Sequence, residues 1–294
     1  QMTGAGNNRQ YDIKKGIILY LADWFTPKKV DTVEEILSRF LSMTGETFTK
    51  KCSGRLDAYP GKDCPSGFRN IRGGWQKILH KEFDGEFEPV PSQNGSGVLS
   101  LSNCDSEHLQ TVHCFLALSN FKHWVKSSSN MYFQFSRSTA WREVLDFLLY
   151  VNRVLDIQYA SAGYEMSVNP FHFSPPAIRL LKDMPLVNSY DTEWYFRKYD
   201  HTIQCPNLLQ VLSQEHLSLL SPPPGDSGVT LLPLNGGKQA VHILDGEALD
   251  EPSEKELLVR LRALNAWFHP ILAQPEKPMY FKPEAWKIRC RRFD

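Results

Sequence analysis

An α+β fold, with a mixed or antiparallel sheet covered by amphipathic helices, is what this sequence predicts, on three observations. Apolar and polar residues alternate over several short stretches, at 97–102, 112–119, 131–136 and on both sides of Asn235-Gly236, which is the period of a pleated strand. Other stretches, beginning near residues 32, 141 and 253, repeat their apolar positions at helical spacing. The two kinds occur in mixed order in both halves of the chain, without the regular succession of a doubly wound βαβ sheet.

In chain order, residues 16–25 (GIILYLADWF) form an apolar run of strand length and are expected to lie centrally in the sheet. Thr32 with Glu35 three residues on spells a capping box, and Val33, Ile36, Leu37, Phe40 and Leu41 make the stripe of the helix it would start. Residues 50–74 carry glycine, proline and charge with little period, and are expected to be irregular. Strands follow at 97–102 and 112–119, the latter with Val112, Cys114, Leu116 and Leu118 on one face. Met131, Phe133 and Phe135 alternate with Tyr132, Gln134 and Ser136 as a half-buried strand requires. Trp141, Val144, Leu145, Leu148, Leu149 and Leu155 then fall at helical spacing.

The intervening Ser136-Arg137-Ser138 is best explained as the joint between strand and helix, with Ser138 or Thr139 as N-cap. No glycine-rich loop precedes it, as a phosphate-binding turn would require. Beyond Pro170, Pro175 and Pro176 a short helix is expected at 177–184, and another over 207–220 started by Pro206-Asn207. A surface loop at 221–228 and a hairpin at Asn235-Gly236 come next. Ser253 and Glu256 then form a second capping box for a helix with Leu257, Leu261, Leu264 and Phe268 as its stripe. The terminal WKIRCRRF alternates again.

With 294 residues, 41% hydrophobic and 12% aromatic, the chain can bury a sizeable core. We expect one unit over 1–294, in which 10–168 and 169–294 form two possible pseudo-repeat halves, each with strands beside one strongly capped helix. Lysine plus arginine and aspartate plus glutamate both total 33, so no net field draws the chain to nucleic acid or to an anionic membrane. The opening residues are polar and no run approaches the length of a bilayer span, which leads to an expectation of a soluble, cytoplasmic protein. Cys52, Cys64, Cys104, Cys114, Cys205 and Cys290 show no C-x-x-C spacing. Reduced thiols are expected, with Cys52 and Cys64 the pair left open.

Motifs for nucleophilic, phosphate-binding, zinc or dinucleotide chemistry are missing. The nine histidines are dispersed, and in Asp200-His201 and Glu215-His216 the partners are adjacent, so they do not face one another on a helix. Cys52, Cys64 and His80 could ligate a metal only if long irregular loops converged. The expectation is therefore no enzymatic activity, no cofactor and no metal. At the C-terminus Lys287, Arg289 and Arg291 alternate with Trp286, Ile288 and Cys290. Such a strand could meet phosphates, although a guarded edge strand is the commoner meaning.

Two acidic stretches carry the most suggestive pattern. Extended, Glu82, Asp84, Glu86 and Glu88 would stand on one side about 6 to 7 Å apart, twice the strand rise. At 245–256, Asp245, Glu247, Asp250, Glu251, Glu254 and Glu256 stand against one lysine, Lys255. Both stretches are also what solvated loops and helix N-terminal charges look like.

Taken together, YFQFSRSTAW (132–141) with its following helix, SAGYEM (161–166), CPNLLQVL (205–212), ILDGEALD (243–250) and the terminal WKIRCRRF resemble, in their order, the immunity proteins of type VI secretion systems, especially the group that accompanies VRR-type nuclease effectors. The likeness covers about the last 165 residues, with IILYL near the start fitting more weakly. It implies a cytoplasmic antitoxin that binds one cognate effector in a one-to-one complex and blocks it, with no catalytic role for Arg137. A DNA-gripping enzyme offers a basic cleft, which carboxylates and aromatic anchors could occupy. Asp245, Glu247, Asp250 and Glu251 are the preferred contact residues, and Glu82, Asp84, Glu86 and Glu88 the second choice. The competing readings are a hydrolase or transferase with a composite site, betrayed by turnover, and a nucleic-acid-binding module, betrayed by salt-sensitive DNA binding.

Overall fold

In the computed structural model, residues 2–3, 10–22, 25–55, 69–86, 97–103, 113–117, 130–169, 184–188, 202–203, 205–225, 227–272 and 293 are described. The fold is α+β. Its strands are β1 (Met2–Thr3), β2 (Gln10–Leu21), β3 (Lys50–Arg55), β4 (Arg69–Asn70), β5 (Gly97–Ser102), β6 (His113–Ala117), β7 (Asn130–Phe135), β8 (Ile157–Asn169), β9 (Val187–Asn188), β10 (Leu209–Leu212), β11 (Thr230–Pro233) and β12 (Gln239–His242). The helices of more than one turn are α1 (Val30–Thr44), α2 (Trp75–Glu86), α3 (Trp141–Val154), α4 (Gln214–Ser218) and α5 (Glu254–Phe268).

Among the described residues one sheet holds all twelve strands, in the order β11-β12-β10-β8-β2-β7-β6-β5-β3-β4, with β1 beside β2 and β9 beside β8. Every ladder is antiparallel except the two-residue β8–β9 pair. The sheet crosses the boundary between the halves, because Tyr159 to Ala162 of β8 pair with Leu212 to Leu209 of β10.

β2 lies between β8 and β7, the central place its run of apolar residues requires, and Lys14 to Leu21 are all buried. Facing residues of an antiparallel pair share a side of the sheet, so Ile17, Phe133 and Ala162 mark one side and Gly16, Gln134 and Gly163 the other. The first side is aromatic. Phe40 of α1 lies 5.1 Å from Phe133 and 5.0 Å from Phe135, and Phe147 of α3 lies 4.9 Å from Phe133. The stripe Val33, Ile36, Leu37, Phe40 and Leu41 is the buried face of α1, and Leu257, Leu261, Leu264 and Phe268 are buried on α5.

Local signals fared unevenly at the boundaries. α1 begins at Val30 after a single turn at Pro27–Lys29, which places Thr32 inside the helix; Glu35 accepts from the Tyr150 hydroxyl at 2.7 Å instead of closing a box. α3 is capped by neither Ser138 nor Thr139. Its N-cap is Ala140, whose N–H donates to the Glu143 carboxylate at 3.0 Å, while Ser136 accepts from Ser138 N–H at 3.3 Å within the turn. On α5 the Ser253 hydroxyl accepts from Glu256 N–H at 3.3 Å, as expected, but the Glu256 side chain pairs with Arg260.

Three element assignments are corrected. Residues 207–220 are not one helix: Leu209–Leu212 pairs with both β8 and β12, and helix begins only after the Ser213 cap. Short apolar runs have no period that separates a helix from a strand buried on both sides. Within 50–74, β3 and β4 form polar strands at the sheet's edge, where solvent removes the need for alternation. β7 is buried at all six positions rather than on one side.

The hairpin is present, closed by Leu234 N–H donating to the Lys238 carbonyl, with Gly236 at φ 72° and Gly237 at φ 71°. Cys114 and Cys205 are buried, and burial pushes the Cys114 thiol well up. Residues 177–183 of the helix expected at 177–184, the faces of Val112 and Leu118, Cys64, Cys104, Cys290, Glu88, His201 and 286–292 lie outside the described residues.

Candidate partner-binding surface

Where β2, β7 and β8 run under the start of α3, register places Lys15 opposite Phe135 on one side and opposite Tyr164 on the other. The chain leaves β7 through Ser136 to Ala140 and turns into α3 at Trp141. Trp141 therefore stands above Tyr164, ring centroids 5.6 Å apart and nearly perpendicular. The Lys15 ammonium lies 4.4 Å from the Trp141 ring centroid and donates to the Thr139 carbonyl at 2.7 Å. Arg137, exposed in the turn, reaches over the Tyr164 ring at 5.9 Å.

The acidic segment after β12 closes onto this floor. Asp245 and Asp250 exchange backbone hydrogen bonds, each 2.9 Å, so residues 246 to 249 form a tight loop. Gly246 supplies one left-handed corner at φ 60°; Leu249 supplies the other at φ 58° and is buried to 4% exposure. Glu251 then accepts from Trp141 Nε1 at 2.6 Å and lies 3.5 Å from Lys15 Nζ, with the Tyr164 hydroxyl as a third donor.

The electrostatics follow from this packing. Burial works against the charged form of Glu251, but the donors Tyr164, Trp141 and Lys15 outweigh it and hold the carboxyl below its usual range. Burial lowers Lys15 more than Glu251 raises it, and burial with the nearby carboxylate pushes the Tyr164 phenol up. Asp245 is paired with Arg260 at 2.6 Å, and the same guanidinium donates to the Ile243 carbonyl at 2.9 Å.

The four preferred acids thus do not project as one group. All four are exposed, but Asp245 and Glu251 are held by this chain's own cations and donors. Beside them stands exposed Arg142, which reaches the Glu247 carbonyl at 3.5 Å and pairs with Asp146 at 3.1 Å.

The second acidic stretch is not extended: Glu82, Asp84 and Glu86 lie in α2, so the two-residue period of a strand does not apply to them. Glu82 faces Lys51 at 3.8 Å. What the alternation of acids with Phe83, Gly85 and Phe87 concealed was the stripe Trp75, Ile78, Leu79 and Phe83, all buried. Sequence reasoning also missed Lys15 and Tyr164. Their available signal was a lysine pair, Lys14-Lys15, leading straight into an apolar central strand.

His216 is a cap. Its N–H donates to the Ser213 hydroxyl at 3.4 Å and its Nδ1 lies 2.8 Å from that same oxygen, so the buried pair holds the start of α4. His80 pairs with Glu34 at 2.6 Å. Among the described residues no group of three or more His, Cys, Asp or Glu is placed to hold a metal ion, and no helix is long and apolar enough to cross a membrane.

The fold is similar to that of the Pseudomonas aeruginosa T6SS protein PA0821, with a TM-score of 0.67 over 97% of this chain and 82% of that one, at 13% sequence identity. At that identity the likeness is one of fold. No protein-family model and no curated protein matches the chain.

Proposed function

We propose that this chain is an immunity protein of a type VI secretion system, which binds one cognate effector and blocks it without turnover. The observation that carries the reading is the shared fold with a T6SS protein over 97% of the chain, in agreement with the ordered motifs that resemble the immunity group. A nuclease effector with a basic cleft suits the exposed carboxylates Glu247 and Asp250. Such rim charges mainly steer encounter, since long-range attraction raises association rates and is screened by salt. Affinity in this reading comes from apolar anchors within a one-to-one interface of about 1,200 to 2,000 Å² or more.

The test is co-expression with toxins encoded beside this chain's gene, followed by size-exclusion chromatography of the pair. Rescue of growth together with a one-to-one complex is expected. Rescue without a complex would favour enzymatic detoxification, and salt-sensitive DNA binding by the isolated chain would favour a nucleic-acid module. Given a complex, Glu247→Gln with Asp250→Asn should slow association severalfold at low salt and leave dissociation little changed.

A further inference from the structure

The acidic hairpin is fastened at both ends, and the fastenings differ. At its start Asp245, with half its side chain exposed (51%), pairs with Arg260 on the surface of α5. At its end Glu251, with 37% of its side chain exposed, reaches donors supplied by three separate elements: Lys15 of β2, Trp141 of α3 and Tyr164 of β8. The Lys15 side chain is only 6% exposed; if the carboxylate left, its ammonium would keep the Thr139 carbonyl but lose the charge that faces it. Trp141 is 2% exposed, and its indole N–H would likewise lose its acceptor.

Between the two fastenings Leu249 holds a left-handed backbone while buried. A branched side chain keeps that conformation only where its surroundings over-determine it. We propose that Glu251 is a latch: gripped by Trp141, Tyr164 and Lys15, its carboxylate keeps residues 245–250 in one conformation and so presents Glu247 and Asp250 as a rigid pair. Presentation to a partner rests on the function proposed above; the latch does not. A rigid pair meets its target without the ordering cost that a loose loop would carry into the complex. Glu251 is then a positioning residue, and the contacts are made by its neighbours.

Amide hydrogen exchange on the isolated chain separates the two ideas, because it needs no effector. The reporters are the Asp245 and Asp250 amides, whose reciprocal hydrogen bonds close the loop, with Ile17 and Leu19 of β2 as internal controls. In Glu251→Gln and in Lys15→Met the two hairpin amides should exchange about tenfold faster or more, the scale expected when a charge-assisted hydrogen bond is lost, while Ile17 and Leu19 hold their rates. Glu247→Gln with Asp250→Asn should leave the hairpin amides at wild-type rates. Wild-type exchange at Asp245 and Asp250 in Glu251→Gln would overturn the latch. Should that variant loosen the whole sheet, Tyr164→Phe decides: it removes one donor and keeps the ring, and hairpin amides unmoved relative to β2 would equally overturn it.

Discussion

On one side of β7, Phe133 and Phe135 meet Phe40 and Phe147; on the other, Asn130, Tyr132 and Gln134 are buried nearly as deeply. The aromatic side is held by edge-on and tilted ring contacts, which add about 0.5 to 1.5 kcal/mol per pair beyond area burial. The polar side is held by making room. Gly16 and Gly163 face each other across β2 and β8. A Cβ on Gly16 would come within 2.3 Å of Glu165 Cγ, and one on Gly163 within 1.8 Å of Asn207 Oδ1.

The two glycines thus let Glu165 and Asn207 lie across the strands, where Asn207 donates to the Ser161 hydroxyl at 3.0 Å and accepts from Leu208 N–H at 3.0 Å. The lesson is that polarity in a strand's alternation does not measure exposure. A sheet can bury both sides and give them different chemistry.

Removing a ring from the aromatic side should have the largest effect. Phe147→Ala is expected to cost about 3 to 5 kcal/mol, by lost transfer energy plus a cavity, read as a lower urea midpoint at unchanged slope. On the polar side Gly163→Ala should cost about 1 to 3 kcal/mol through overpacking against Asn207. Asn207→Ala in the same chain should recover part of it, so that the double change costs less than the sum; strict additivity would mean that the two do not share the space. Gln134→Leu should be nearly neutral or mildly stabilising, because Gln134 Nε2 is buried and has no hydrogen-bond partner among the described residues. A loss above about 1.5 kcal/mol would reveal a partner for that amide.

The smallest effect is electrostatic. Glu251 has its folded pKa held below the ordinary 4.5, so it binds fewer protons folded than unfolded. Its contribution is complete above the unfolded value and is lost as pH falls through the folded one. The stability gap between wild type and Glu251→Gln should therefore be constant near neutrality and close as the pH is taken below about 4.5. A gap that widened on acidification would reverse the assignment.

How much of this was legible depended on whether a residue's partner was local. β2 announced itself by an uninterrupted apolar run, the buried stripes of α1 and α5 by helical spacing, and the β11–β12 hairpin by Asn235-Gly236. The Ser138 or Thr139 cap and the Thr32 box failed because the helices started elsewhere, at Trp141 behind Ala140 and at Val30. From sequence alone Glu251 reads as a projecting acid. Its donors Lys15, Trp141 and Tyr164 are distant in sequence, and only the register of β2 against β8 brings them together. Leu209–Leu212 was misjudged for the same reason, since its strand state is imposed by neighbours on both sides.

That register also fixes a clock. Ile17 pairs with Ala162, so β2 finds this partner only after about 145 further residues have been added. At roughly 5 to 20 residues per second that is on the order of 10 to 30 seconds, during which GIILYL has a missing neighbour and an unpaired apolar edge. Nascent β2 is thus a standing invitation to other strands in a crowded cell. Slowing synthesis before residue 157, where β8 begins, should lower the yield of folded chain more than the same delay placed after residue 169.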